Sequence, residues 1–120
     1  MANKILLIDD DPIIVKVVKS RLEASSYKVI SASNGSEGLE KAVNEHPDLI
    51  ILDIMMPEMD GYAFVKEIKS NPSAKHIPII ILTVKDKMKD LFEMEGVKDY
   101  LIKPFKEEDL LEKIKKHLEK

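Results

Sequence analysis

Short apolar runs recur along this chain with no polar position inside them. The clearest are Ile5-Leu6-Leu7-Ile8, Leu49-Ile50-Ile51-Leu52 and Ile79-Ile80-Ile81-Leu82, with Tyr100-Leu101-Ile102 as a shorter fourth. A strand with one face in water alternates apolar and polar residues. A run without that alternation suits a strand covered on both faces, as in a parallel sheet between helical layers. Between the runs the apolar spacing becomes helical, and the alternation repeats five times. Strands are predicted near 4–8, 28–32, 49–52, 77–82 and 99–102. Five βα units make a doubly wound α/β sheet with right-handed crossovers.

The helices carry local start and stop signals. Asp11 is placed to cap the first, and Pro12 suits its first position. Ile14, Val17, Val18 and Leu22 then form one stripe. Asn34 and Glu37 have capping-box spacing for the second, with Leu39, Ala42 and Val43 inward. His46-Pro47 ends it, because the residue before proline disfavours helix. The third starts near Asp60-Gly61, buries Phe64, Val65 and Ile68, and stops before Asn71-Pro72. The fourth is short, with Met88, Leu91 and Phe92 inward and Gly96 as its stop. The fifth opens with Glu107, Glu108 and Asp109 and closes with Lys115, Lys116 and His117, an order that complements the helix dipole. Its apolar face is Leu110, Leu111, Ile114 and Leu118.

Composition narrows the function. The 120 residues suit one domain, 1–120, and 44% hydrophobic content with 5% aromatics makes its core aliphatic. A net charge of −3 argues against bulk attraction to DNA or an anionic membrane. Arg21 is the only arginine, which weakens bidentate phosphate or guanine recognition. Without cysteine there is no disulfide, thiol chemistry or thiolate metal site. No apolar run approaches the ~18 residues of a membrane span. The charged strand end at Asp9 leaves no room for a signal peptide before it. A soluble, cytoplasmic domain is expected. His46, His76 and His117 have no second ligand at metal-binding spacing and are expected to be solvated.

The runs end in chemistry of one kind. The first leads into Asp9-Asp10-Asp11, the third-strand run into Asp53, the next into Thr83, and the last into Lys103-Pro104. Open α/β sheets bind ligands outside the carboxyl ends of their strands. Acids, a hydroxyl and an ammonium gathered there would make a phosphate and metal site. Phosphoryl transfer needs positioning and charge neutralisation rather than covalent help. Clustered acids repel each other and an incoming phosphate, and a divalent cation with Lys103 would offset that repulsion. Each residue also has an ordinary reading. Asp11 serves as a helix cap, Thr83 as a β-branched strand residue and Tyr100 as an amphipathic packing residue.

Taken in order, four segments resemble a bacterial response-regulator receiver domain of two-component signalling. They are Leu7-Ile8-Asp9-Asp10-Asp11, the block from Leu52-Asp53 through Met56-Pro57 to Asp60-Gly61, Leu82-Thr83, and Asp99-Tyr100-Leu101-Ile102-Lys103-Pro104-Phe105. The resemblance covers essentially the whole chain. It implies a flavodoxin-like sheet of order 2-1-3-4-5. It implies a phosphorylation switch with Asp53 as phosphoacceptor and a sensor histidine kinase or phosphotransfer protein as donor. Mg²⁺ would be held by Asp10, by Asp9 partly through water, by Asp53 and by the Met55 carbonyl. Thr83 and Lys103 would contact the phosphoryl oxygens, and the Lys103-Pro104 bond would be cis. Thr83 and Tyr100 would move together as the switch, altering affinity for an output protein or domain, with a phosphorylation-dependent dimer as one outcome. Such a domain is not an enzyme beyond its own Mg²⁺-dependent phosphorylation and dephosphorylation.

Two features depart from the family pattern. Val84 stands where a very small residue is usual, which predicts slow loss of phosphate. The stretch from Thr83 to Tyr100 is short by about half a helical turn, which puts the fourth helix and the output surface in question. Two other functions compete: a small Mg²⁺-dependent phosphohydrolase using Asp53, and a pseudo-receiver that docks without being phosphorylated.

Overall fold

The computed structural model describes residues 3–53, 61–83, 97 and 99–118, the side chains of Gly61 and Tyr62 excepted. Strands β1 (Lys4–Ile8), β2 (Lys28–Ala32), β3 (Leu49–Asp53), β4 (Ile79–Thr83) and β5 (Asp99–Ile102) form one sheet in the order β2-β1-β3-β4-β5. Every neighbouring pair is parallel. Helices α1 (Pro12–Ala24), α2 (Gly35–Glu45), α3 (Gly61–Ser70) and a C-terminal helix (Glu107–Leu118) accompany it. The predicted fourth helix, with Met88, Leu91, Phe92 and Gly96, lies outside the described residues.

The uninterrupted apolar runs have a direct explanation. Successive strand residues point to opposite faces, and both faces are covered. Leu6, Ile8, Ile50, Leu52, Ile79 and Ile81 pack with Ala42 of α2 and Phe64, Val65 and Ile68 of α3. Ile5, Leu7, Leu49, Ile51, Ile80 and Leu82 pack with Val18 and Leu22 of α1 and with Leu110 and Ile114 of the C-terminal helix. Each buried aliphatic side chain contributes roughly 2 kcal/mol relative to exposure. The two layers therefore hold the sheet as a rigid platform under its carboxyl edge.

Local signals set the helix ends. The Asp11 carboxylate accepts from the N–H groups of Ile13 at 2.9 Å and Ile14 at 3.4 Å. Asn34 accepts from Glu37 N–H at 2.8 Å. Glu37 does not complete the reciprocal half of a capping box. Its side chain instead accepts from the Ser33 hydroxyl and pairs with Lys41 one turn on, each at 3.3 Å. His46 ends α2 in a left-handed conformation, with φ of 50°. Within α2, Gly38 lets the helix close on β1, since a Cβ there would meet Ile8 Cδ1 at 2.5 Å.

Two expectations change. The strand predicted over 77–82 runs from Ile79 to Thr83. Pro78 has no N–H, and the Ile77 N–H donates to Ala74 in the preceding turn. On α1, Val17 is not part of the buried stripe but 53% exposed. The stripe centres on Val18 and Leu22, with Ile14 and Val15 partly buried beside them. Val17 lies one residue, about 100°, round the helix from Val18 and so turns outward with Ile13. Among the described residues no helix is long and apolar enough to cross a membrane.

Candidate functional site

Strand register carries the polar residues to a single edge. Ile8 pairs with Leu52, Asp53 with Leu82, and Thr83 with Ile102. Asp53 and Thr83 are the last residues of β3 and β4, while Asp9 and Lys103 directly follow β1 and β5. Asp9 continues the alternation of Ile5 and Leu7, and Asp53 that of Leu49 and Ile51. Both carboxylates thus lie on the α1 side of the sheet.

Asp53 is 4% exposed, and its Oδ2 accepts from Lys103 Nζ at 2.8 Å. The lysine is anchored through its backbone, whose N–H donates to the Thr83 carbonyl at 2.6 Å. Its peptide bond to Pro104 is cis, as expected. Thr83 itself is fully buried. A buried carboxylate requires a partner of opposite charge, and Lys103 supplies it.

Asp9 is 1% exposed. Its N–H donates to the Ala32 carbonyl at 3.1 Å, and its Oδ1 accepts from Asp11 N–H at 2.9 Å. Its Oδ2 is buried with no hydrogen-bond partner. Burial pushes the Asp9 carboxyl up to about 6; the Asp11 N–H opposes that shift, and the nearby Asp53 charge adds to it. Asp10, the next residue in the chain, is exposed. Among the described residues no three of His, Asp and Glu gather round one point. Among the described residues the buried donor set is therefore two carboxylates, one of them with an orphaned oxygen. Hard oxygen donors, few in number and short of positive charge, fit Mg²⁺, which keeps several of its waters. Met55 and Val84 lie outside the described residues.

Tyr100, on the edge strand, is 37% exposed. The residue beside it shows what the sequence reading missed. His117 is not solvated: its side chain is only 5% exposed, and Nε2 lies 3.0 Å from Asp99 Oδ2. Asp99 Oδ1 also accepts from Lys113 Nζ at 2.8 Å and from the Tyr100 N–H at 2.9 Å. Burial raises the Asp99 carboxyl, but the hydrogen bonds from Lys113 and His117 outweigh it and hold the group at about 2. The signal was available, since His117 follows Leu110 and Ile114 at helical spacing and so falls on the inward face. His46 and His76 are exposed, as expected.

Comparison with known proteins follows the same lines. Residues 5–115 match the family described as the response regulator receiver domain. The chain is 41% identical over 117 residues to the alkaline phosphatase synthesis transcriptional regulatory protein PhoP of Bacillus subtilis. That match covers 96% of this chain and 48% of PhoP. It is 35% identical over 113 residues to the protein PilH of Pseudomonas aeruginosa, covering 92% of this chain and 93% of PilH. The chain thus spans about half the length, or less, of several curated relatives it matches. Among solved structures it is similar to the receiver domain of the sensor histidine kinase PA1611 from Pseudomonas aeruginosa. The TM-score there is 0.90 at 28% identity, with all of both chains covered, and that structure has a magnesium ion coordinated in its active-site cleft.

Proposed function

This chain belongs to the response regulator receiver domain family, and from that membership we propose that residues 1–120 work as a phosphorylation-operated switch with Asp53 as phosphoacceptor. The observation that carries the reading is the buried Asp53 carboxylate held 2.8 Å from the Lys103 ammonium. In this reading an Asp53 oxygen attacks the phosphorus of a phosphohistidine on a partner protein. The P–N bond breaks, the imidazole leaves and takes up a proton, and an acyl phosphate remains on Asp53. Lys103 moves its charge from the carboxylate to a phosphoryl oxygen, and the Thr83 hydroxyl donates to another. Mg²⁺ bound by Asp9, Asp10, Asp53 and the Met55 carbonyl would neutralise charge on the phosphoryl oxygens.

The resting site is charged with this task in mind. Among the described residues two buried carboxylates lie near one lysine, so they carry surplus negative charge that a divalent cation would relieve. Once phosphorylated, the chain gains a group that draws Thr83 toward it and lets Tyr100 turn inward into the space Thr83 leaves. The output protein or domain then meets a changed surface, as does any second copy of the chain. The donor is a sensor histidine kinase or phosphotransfer protein, and the setting is the cytoplasm. With net charge −3, direct nucleic-acid binding is not part of this domain's work.

Intact mass measured after incubation with Mg²⁺ and an acyl-phosphate donor tests the reading. A single phosphate adduct that disappears in Asp53→Asn is the expected result. Steady turnover of the donor without an adduct would favour a phosphohydrolase instead. No adduct and no turnover under any condition would leave a docking pseudo-receiver.

A further inference from the structure

β5 is the edge strand of the sheet, and among the described residues its outer side is open to long side chains. Lys113 of the C-terminal helix uses that opening twice. Its Nζ donates to Asp99 Oδ1 at 2.8 Å and lies 5.9 Å from the centre of the Tyr100 ring. Asp99 and Tyr100 are neighbours on the strand, so one ammonium serves both. A cation at this distance over a tyrosine face is attracted by the ring's negative face.

A lysine normally loses considerable side-chain freedom in such a contact. Here the ordering is already provided. The Asp99 carboxylate cannot turn, because the Tyr100 N–H and Lys113 hold Oδ1 and His117 holds Oδ2. His117 is buried and must be the donor, since an ionised carboxylate only accepts. Lys116 is looser, at 3.8 Å from Asp99 Oδ2.

We propose that Lys113, pinned by an Asp99 carboxylate that His117 holds in place, is a latch that holds the Tyr100 ring outward in the resting chain. The ring leaves the ammonium when it turns inward, so the latch opposes that turn by the full strength of the contact. At a half-exposed site the contact is worth about a two- to five-fold bias in the in–out equilibrium. By linkage, anything that favours the inward ring is opposed by the same factor. That last step rests on the phosphorylation reading above; the resting preference of Tyr100 does not.

The test replaces the tyrosines by 3-fluorotyrosine, with the position-100 signal assigned from Tyr100→Phe. Fluorine NMR with a soluble paramagnetic agent then reports how exposed that ring is without Mg²⁺ or phosphate. In Lys113→Met the protected fraction of Tyr100 should rise about two- to five-fold, while Lys113→Arg and Lys116→Met stay near the parent. Unchanged Tyr100 exposure in Lys113→Met, with the fold intact by circular dichroism, would overturn the proposal. So would an equal effect from Lys116→Met, because that lysine does not lie over the ring. A second arm measures binding of beryllofluoride with Mg²⁺, which should tighten by the same factor in Lys113→Met. A parent chain that binds no beryllofluoride sinks the phosphorylation reading alone, since the fluorine measurement stands without it.

Discussion

Lys103 and Asp53 are 50 residues apart in the chain, yet their side chains meet at 2.8 Å at the rim of the sheet. Lys103→Met would leave the Asp53 carboxylate buried without that ammonium. The variant should lose about 3 kcal/mol of stability in urea melts. In an Asp53→Asn background the same substitution should cost much less, because no charge is left to strand. Equal losses in both backgrounds would mean that the lysine acts through packing instead. Adduct formation at Asp53 should slow by at least about ten-fold in Lys103→Met.

Asp9 gives the site a pH signature. Its carboxyl is raised from 3.8 to about 6 in the folded chain. Between those values the folded state binds more protons than the unfolded one, so stability falls as pH rises through that window. Metal-free thermal melts should show this decline, and Asp9→Asn should remove it. Above the window the variant should be the more stable by on the order of 2 kcal/mol. Mg²⁺ should raise the melting temperature more at about pH 7.5 than at about pH 5, because binding requires the ionised carboxylate. A cation response that is the same at both pH values would rule out Asp9 as a ligand.

Asp99 titrates the other way. Its folded-state carboxyl sits at about 2, below the ordinary 3.8. Its contribution is therefore complete above about pH 4 and is lost as pH falls toward 2. Asp99→Asn should destabilise the chain by about 2 kcal/mol near neutrality. The gap to the parent should close in acid, and a gap that persists at about pH 2 would assign the effect to something other than charge.

Ile13 and Val17 sit one turn apart on the outer face of α1, 71% and 53% exposed, and that helix begins just after Asp9-Asp10-Asp11. On the phosphorylation reading, an apolar pair on the helix that follows this acidic edge would offer contact to the protein that delivers the phosphate. Ile13→Lys should change stability by less than about 0.5 kcal/mol. It should slow phosphotransfer from a phosphohistidine protein while leaving uptake from a small acyl phosphate unchanged. Parallel loss with both donors would place the defect in the site itself.

The sequence by itself determined the sheet and the edge that matters. A run such as Ile5-Leu6-Leu7-Ile8 is stable only with cover on both faces, which forces a parallel sheet between helical layers. Once the strands are found, their carboxyl ends follow, and with them the placement of Asp9, Asp53, Thr83 and Lys103. Capping was equally local: Asp11 and Asn34 act on N–H groups two or three residues away. Tertiary structure decided whatever depends on which neighbour passes overhead. Asp9 and Asp10 are the same residue type side by side, yet one is buried with an orphaned oxygen and the other faces water. Val17 and Val18 differ in the same way, because only one turns toward the sheet. His117 looked like one more polar residue at a basic helix end, until packing brought the strand's Asp99 to 3.0 Å from it. Periodicity reports which face of an element turns inward; only the packed chain reports which atoms wait there.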